Sequence, residues 1–118
     1  MITYIKEKET GSLLCLEAAE KITYTTSRDN ALCDVVNTAI SIKDFNMAII
    51  SAEKIHYSTT KDATLVKIVS VAVENKDLYG YAVLAASKIH YLTTRTDALI
   101  KIIDAAKKEA TNRKKEMY

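Results

Sequence analysis

Apolar residues return every three or four positions along most of the chain, which is the period of an α-helix and not of a strand. The pattern predicts an all-α protein with six helices, at about 11–23, 27–42, 44–56, 60–74, 77–90 and 95–116. A capping helical turn is predicted for residues 1–9. The apolar stripes are clearest in two segments, where they consist of Cys15, Ala18, Ala19 and Ile22 and of Leu32, Val35, Val36, Ala39 and Ile40.

A six-residue motif occurs three times, at offsets of 33 and then 34 residues, and divides the chain into three copies. Each copy contains two predicted helices, so the pattern indicates three tandem helix-turn-helix repeats in a single domain, 1–118. The extra residue of the second interval falls between Leu78 and Tyr81, at a predicted helix start. The copies span about 11–43, 44–76 and 77–110, and the motifs are Lys21-Ile22-Thr23-Tyr24-Thr25-Thr26, Lys54-Ile55-His56-Tyr57-Ser58-Thr59 and Lys88-Ile89-His90-Tyr91-Leu92-Thr93.

Residues that favour helix ends lie at the predicted boundaries. A threonine is predicted to cap the second helix of each copy, with an aspartate three residues later in its first turn. Asp44 and Asp77 are predicted to cap the helices that follow them. A lysine near the end of each first helix complements the negative end of its dipole. These residues are Thr26, Thr59 and Thr94, with Asp29, Asp62 and Asp97, and the lysines Lys21, Lys54 and Lys88.

Small residues recur 12 positions apart in each copy, as the pairs Ala19 and Ala31, Ala52 and Thr64, and Ala86 and Ala98. With a repeat of about 34 residues, this spacing makes the chain resemble tetratricopeptide-like bacterial α-hairpin repeat proteins. The resemblance implies that the copies stack as a short right-handed solenoid. A more globular six-helix stack is also compatible with the pattern. The chain departs from the family at its aromatic position, which is Ile22, Ile55 and Ile89, and near its terminal proline, where Lys43 and Lys76 lie.

The same resemblance implies a ligand-facing strip on the first helices. Each copy would contribute a tyrosine, a threonine or histidine beside it, and a glutamate or serine one turn earlier. Tyrosine suits protein interfaces because it buries a large area with few rotatable bonds. Alternatively, the tyrosines are spacers between neighbouring hairpins. The candidate protein-binding residues are Glu20, Thr23, Tyr24, Glu53, His56, Tyr57, Ser87, His90 and Tyr91.

Composition and charge restrict the partners. Hydrophobic residues make up 48% and charged residues 27% of the 118 positions, as in ordinary globular proteins, and no run is long enough to span a membrane. The basic tail, 107–118, holds five of the 17 basic and two of the 15 acidic residues, which leaves 12 basic and 13 acidic elsewhere. This balance disfavours nucleic acid binding outside the tail. The start of the chain lacks an apolar leader, so we expect a cytoplasmic protein without a membrane partner.

The sequence contains no constellation typical of a catalytic, metal or cofactor site. Cys15 and Cys33 align with small or medium apolar residues in the other copies, so we expect both thiols to be reduced, buried and inert. His56 and His90 lie one copy apart, which is too far to share a metal ion. No glycine-rich, paired-carboxylate or nucleophile motif is present. We therefore expect no enzyme activity, no metal and no cofactor.

The sequence favours a small protein that binds another protein by occlusion or scaffolding. Its most specific form is a bacterial immunity protein that covers the active site of a toxin such as a nuclease, with Glu20 and Glu53 facing basic residues of the toxin. The alternative is an RNA- or DNA-associated helical repeat protein that uses the basic tail. A third hypothesis is self-association through an uncapped end of the stack. The nucleic acid alternative also uses three lysines of the second helices, Lys61, Lys67 and Lys101. The self-association hypothesis rests on the apolar residues Leu13, Leu14 and Leu16.

Overall fold

The structure is a computed structural model that describes the backbone of residues 7–117 and the side chains of residues 11–115. This part of the chain is helical and contains no strand, which confirms the predicted all-α class. The capping turn predicted for 1–9 lies outside the described residues except for 7–9, which belong to the first helix. The helices are α1 (Glu7–Glu20), α2 (Thr25–Ser41), α3 (Phe45–Glu53), α4 (Ser58–Ala72), α5 (Tyr79–Ser87) and α6 (Leu92–Met117), with a 3₁₀ helix at Lys76–Leu78.

The first helix of each copy ends three residues earlier than predicted, at Glu20, Glu53 and Ser87. The lysine and the isoleucine that follow each donate a backbone hydrogen bond to the carbonyl three residues before, at 3.1 Å in all three copies. These short-range bonds tighten the helix end and stop the helix there. In the second and third copies the isoleucine, Ile55 or Ile89, is fully buried. It therefore belongs to the core although it lies outside the helix.

The threonine caps predicted for the second helices are wrong. α2 and α4 begin one residue before the predicted cap, and α6 begins two residues before it. α2 follows Tyr24, whose backbone is extended and whose side chain makes no capping hydrogen bond. The Tyr24 carbonyl already accepts a hydrogen bond from Arg28 N at 2.8 Å, so Thr26 lies inside the helix. Tyr24 therefore lies in the turn, directly before the first residue of α2.

The two aspartate caps predicted for the first helices have different outcomes. Asp44 does cap α3, because its carboxylate accepts a hydrogen bond from Met47 N at 3.1 Å. The prediction for Asp77 is wrong, since Asn75 caps the 3₁₀ helix and accepts from Asp77 N at 2.9 Å. The 3₁₀ helix lies beside the extra residue of the third copy, so the longer repeat is accommodated before α5.

The turn between α2 and α3 explains one departure from the tetratricopeptide pattern. Lys43 has a φ of 62°, in the left-handed region. Lys43 N donates to Ile40 O at 3.0 Å and Asp44 N to Ala39 O at 2.8 Å, as in a Schellman ending. A proline, with φ fixed near −65°, could neither adopt this conformation nor donate the hydrogen bond. The absence of a proline at this turn therefore has a conformational reason.

The contacts divide the chain into two compact units, with the boundary between Thr64 and Leu65, inside α4. In the first unit, α2 contacts both α1 and α3, and α1 also contacts α3. Burial of a large aliphatic side chain contributes about 1.5–3 kcal/mol, so the apolar cluster among these helices is their main source of stability. The cluster consists of Leu16, Ala19, Leu32, Val35 and Ile55.

The apolar periodicity of the sequence predicts more burial at Cys15, Ala18 and Cys33 than the structure shows. Cys15 is exposed and Cys33 is half-buried, and both are free thiols, so the expectation that both are buried is wrong. Ala18 is also exposed. The equivalent residues of α3, Ala48 and Ser51, are fully buried. Among the described residues, the face of α1 that carries Cys15 is therefore exposed where the corresponding face of α3 is covered.

In the second unit, α5 contacts α6 and the 3₁₀ helix. Three alanines of α5 are fully buried, and such small side chains allow close helix approach. Tyr79 Oη donates to the Ala105 carbonyl at 3.4 Å, and the Lys76 ammonium lies 3.7 Å from the Glu109 carboxylate. These contacts hold the start of α5 and the 3₁₀ helix against the middle of α6. The alanines are Ala82, Ala85 and Ala86.

Ser51 is a buried polar residue that the packing does not require. Its Oγ has no hydrogen-bond partner among the described residues, and the equivalent residues are Ala18 and Ala85. An unsatisfied buried hydroxyl costs about 1–3 kcal/mol. We expect Ser51→Ala to raise the free energy of unfolding by about 1 kcal/mol in urea titrations, whereas Ser41→Ala, at an exposed serine, should change it by less than about 0.5 kcal/mol. Destabilisation by Ser51→Ala would contradict this assignment.

Candidate functional site

The candidate protein-binding residues lie at the turn between the two helices of each copy. All nine side chains are exposed, so none of them serves the core. Each copy contributes the residue that ends its first helix and the two residues before its second helix. They are Glu20, Thr23 and Tyr24 in the first copy, Glu53, His56 and Tyr57 in the second, and Ser87, His90 and Tyr91 in the third.

The three tyrosines occupy the same backbone position. Each carbonyl accepts a hydrogen bond from the N–H four residues later, at 2.8 Å for Tyr24 and 2.9 Å for Tyr57 and Tyr91. Tyr24 is 79% exposed, and the other two keep about half of their surface in solvent. A spacer between hairpins would be buried, so their exposure favours a contact role over a spacer role.

In the second and third copies a histidine ring packs against the tyrosine that follows it. The ring centroids of His56 and Tyr57 are 5.2 Å apart with an interplanar angle of 76°, and His90 and Tyr91 have the same values. This edge-to-face arrangement is a favourable geometry for aromatic pairs. The first copy has Thr23 in place of the histidine. The variable position thus decides whether a copy presents one ring or two.

A buried carboxylate fixes the backbone of the second turn. Asp29, on α2, is 2% exposed, and its two oxygens accept hydrogen bonds from His56 N at 2.8 Å and Tyr57 N at 3.1 Å. Hydrogen bonds to an ionised acceptor are stronger than neutral ones, and both amides lie just before the positive end of α4. The turn that carries His56 and Tyr57 is therefore held by a residue of the preceding copy.

The sequence predicts Asp29 in the first turn of its own helix and does not indicate this role. That placement is wrong, because α2 begins at Thr25 and has no acidic residue in its first turn. The available signal is that an aspartate recurs 33 residues later at Asp62, which is also buried. The third copy has Thr96 at the equivalent position. Thr96 is exposed, and its hydroxyl donates to the Leu92 carbonyl at 2.8 Å, within its own helix. The carboxylate is thus a feature of the first two copies only.

Charged side chains surround the second turn. The Lys54 ammonium lies 2.9 Å from the Glu20 carboxylate, and the Arg28 guanidinium donates to the Ile22 carbonyl at 3.3 Å. With His56 and Lys61 these groups line an open depression of about 420 Å³. Three cations and one carboxylate give the depression a positive balance. Glu20, predicted to face a basic partner, is already paired with a lysine of the next copy.

The described residues show no group suited to metal binding, since no three His, Cys, Asp or Glu side chains lie together there. Nor does this part of the chain contain a helix long and apolar enough to cross a bilayer.

No family model matches the chain, and neither a curated protein nor a solved structure matches it. The resemblance to tetratricopeptide-like repeats stays a prediction that rests on the residues of the sequence.

The Asp29 contact predicts a large effect of a small substitution. Asp29→Asn keeps one acceptor but places an amide group against a backbone N–H, so we expect a loss of about 2–3 kcal/mol in the free energy of unfolding. Urea titration followed by circular dichroism measures the loss, and hydrogen exchange should become faster at His56 and Tyr57. The control is Asp34→Asn, at an exposed position of the same helix. Equal stability of the two variants would disprove the role given to Asp29.

Proposed function

We propose that the chain is an array of three tandem α-hairpins that binds another protein through its interhelical turns and carries out no reaction of its own. The repeated features support an array. The same hydrogen-bonded helix end, the same tyrosine before the second helix and the same His–Tyr ring geometry recur at repeat offsets. Copies of one local structure in one chain are the basis of stacked helical repeats.

The observation that carries the binding role is the combination of exposed tyrosines with a fixed backbone. Asp29 is buried in order to hold two amides of a turn whose own side chains, His56 and Tyr57, face solvent. The packing of the core does not require the backbone of an exposed turn to be rigid. A binding surface benefits from it, because ordering a mobile loop on association lowers affinity. Rigid aromatic side chains are also the usual energetic centres of protein interfaces.

Specificity in this proposal comes from the positions that differ between copies. Thr23 differs from His56 and His90, and Ser87 differs from the glutamates of the other copies. The tyrosines would supply contact area at every turn, and the variable residues would select the partner. A chain of this size has room for one standard interface, of about 800 Å² on its side.

The specific form of the proposal is an inhibitor that occludes a toxin, as an immunity protein does. For a basic toxin such as a nuclease, Glu20 would have to exchange its ion pair with Lys54 for one with the partner. Exposed ion pairs contribute only about 0–1 kcal/mol, so this exchange is energetically accessible. The general proposal, binding of a protein at the turns, does not depend on this form.

The nucleic acid alternative has less support. Lys101, one of its proposed contacts, donates to Ser70 Oγ at 3.0 Å. It lines a depression together with Asp97, Asp104 and Lys108, so carboxylates lie beside the lysines there. Lys114 and Lys115 lie in the last turn of α6, where cations complement the helix dipole. Structural roles thus account for several of the basic side chains.

The test is a triple variant, Tyr24→Ala with Tyr57→Ala and Tyr91→Ala. Because these rings are exposed, we expect the free energy of unfolding to change by less than about 0.5 kcal/mol per site. The affinity for a partner captured from host extract, or for a co-expressed toxin, should fall at least tenfold, which is about 1.4 kcal/mol, in titration calorimetry.

A matched control removes apolar surface away from the turns, by Ile50→Ala with Val83→Ala and Leu84→Ala, all at exposed positions within helices. We expect this control to bind the partner as the wild type does. A partner that binds the tyrosine variant with unchanged affinity would contradict the proposal, and so would a partner lost equally from both variants.

A further inference from the structure

The last helix exposes positions that are buried in the earlier copies. Val36 of α2 and Val69 of α4 are 0% and 1% exposed, whereas Ile103, at the same repeat position of α6, is 55% exposed. Ile100 is exposed as well, although its equivalents are half-buried. Terminal repeats of stacked arrays usually carry polar residues on their outer face. Here that face of α6 carries isoleucines.

The first helix also exposes positions that are buried in the later copies. Leu14, Cys15 and Ala18 of α1 are exposed, whereas Ala48 and Ser51, which match Cys15 and Ala18 in α3, are fully buried. The corresponding residues of α5 are fully buried too, namely Ala82 and Ala85. The exposed face of α1 is thus the face that the first helix of a later copy buries.

These two exposed faces correspond to the two sides of a contact that exists inside the molecule. In the first unit α2 contacts α3, and Val36 on α2 and Ala48 on α3 are both fully buried. In repeat positions, α6 corresponds to α2 and α1 corresponds to α3. The exposed face of α1 from a second molecule could therefore pack against α6 in the way that α3 packs against α2.

The charges of the two helices are complementary. α1 contains four acidic and one basic residue, and α6 contains seven basic and four acidic residues. A negative helix and a positive helix attract each other, whereas two copies of α6 or two copies of α1 would repel. The charge balance therefore favours contact between unlike ends of two molecules over contact between like ends.

We propose that the chain self-associates head to tail, with the exposed face of α1 of one molecule packed on the exposed face of α6 of a second copy. This inference rests on the proposed repeat array. The surfaces that meet are different, so the interface is heterologous and each dimer keeps one free α1 and one free α6. Further copies add in the same way.

The self-association is weaker than the contact between the first two copies. In the third copy, Thr96 on α6 replaces the aspartate that holds the next turn, and Ser87, at the end of α5, replaces the glutamate that pairs with the lysine of the next copy. The apolar positions remain, and two polar contacts are lost. Assembly is consequently reversible and depends on protein concentration.

Analytical ultracentrifugation of the full chain between about 1 µM and 1 mM tests the proposal. The weight-average mass of the wild type should rise from 13.1 kDa to at least twice that value. Leu14→Glu and Ile103→Glu should each remain monomeric, while Ile42→Glu, at an exposed isoleucine outside both faces, should assemble like the wild type. Because all three sites are exposed, the variants should keep the wild-type helical circular dichroism and melting temperature.

Mixing the two monomeric variants separates head-to-tail contact from other arrangements. Leu14→Glu retains an intact α6 face and Ile103→Glu an intact α1 face, so an equimolar mixture should form a dimer and nothing larger. In the wild type, alkylation of Cys15 should slow as concentration rises, but not in Ile103→Glu. A wild type that stays monomeric, assembly of either single variant, or a mixture without dimers would each overturn the proposal.

Different variants test partner binding at the turns and self-association through α1 and α6, so either proposal can fail without the other. The triple tyrosine variant should assemble like the wild type even though it loses the partner protein. Ile103→Glu should retain the partner protein even though it no longer assembles. Loss of assembly in the tyrosine variant would place the turns in the self-interface and overturn the α1–α6 arrangement.

Discussion

The hydrogen bonds from His56 N and Tyr57 N to the buried carboxylate of Asp29 connect one copy of the chain to the next. A carboxylate is costly to bury, and the two amides that meet it would otherwise need water. The contact therefore specifies one position of α2 relative to the turn that follows α3. The apolar cluster stabilises these helices through the hydrophobic effect, which is less directional than these hydrogen bonds.

Much of the helical architecture could be predicted because it depends on local patterns. The six helices follow from apolar periodicity, and the Asp44 cap follows from a side chain that reaches an amide three residues away. The role of Asp29 could not be predicted in the same way, since its partners lie 27 and 28 residues along the chain. The helix ends before the isoleucines were also missed, because an apolar residue continues the stripe whether or not the helix continues.

The sequence pattern selects the candidate residues without showing what surrounds them. The resemblance to α-hairpin repeats predicts them on a strip of the first helices, whereas six of the nine lie in the turns that follow, because those helices end at Glu20, Glu53 and Ser87. The alignment did not predict that Glu20 is paired with Lys54. It also gave no sign that Cys15 would be exposed, because Ala48 and Ala82 are buried by contacts that α1 lacks among the described residues. Equivalent positions of the three sequence copies can therefore differ in their contacts.

The 3₁₀ helix before α5 has a consequence for how the chain can change in length. It lies beside the additional residue of the third copy, and none of its three residues is buried. The alanines of α5 and the apolar residues of α6 therefore keep their alignment with those of the other copies despite the insertion. An added residue here would change the contact between Lys76 and Glu109 but would displace no buried side chain of the 3₁₀ helix, which makes this segment a place where insertions can be tolerated.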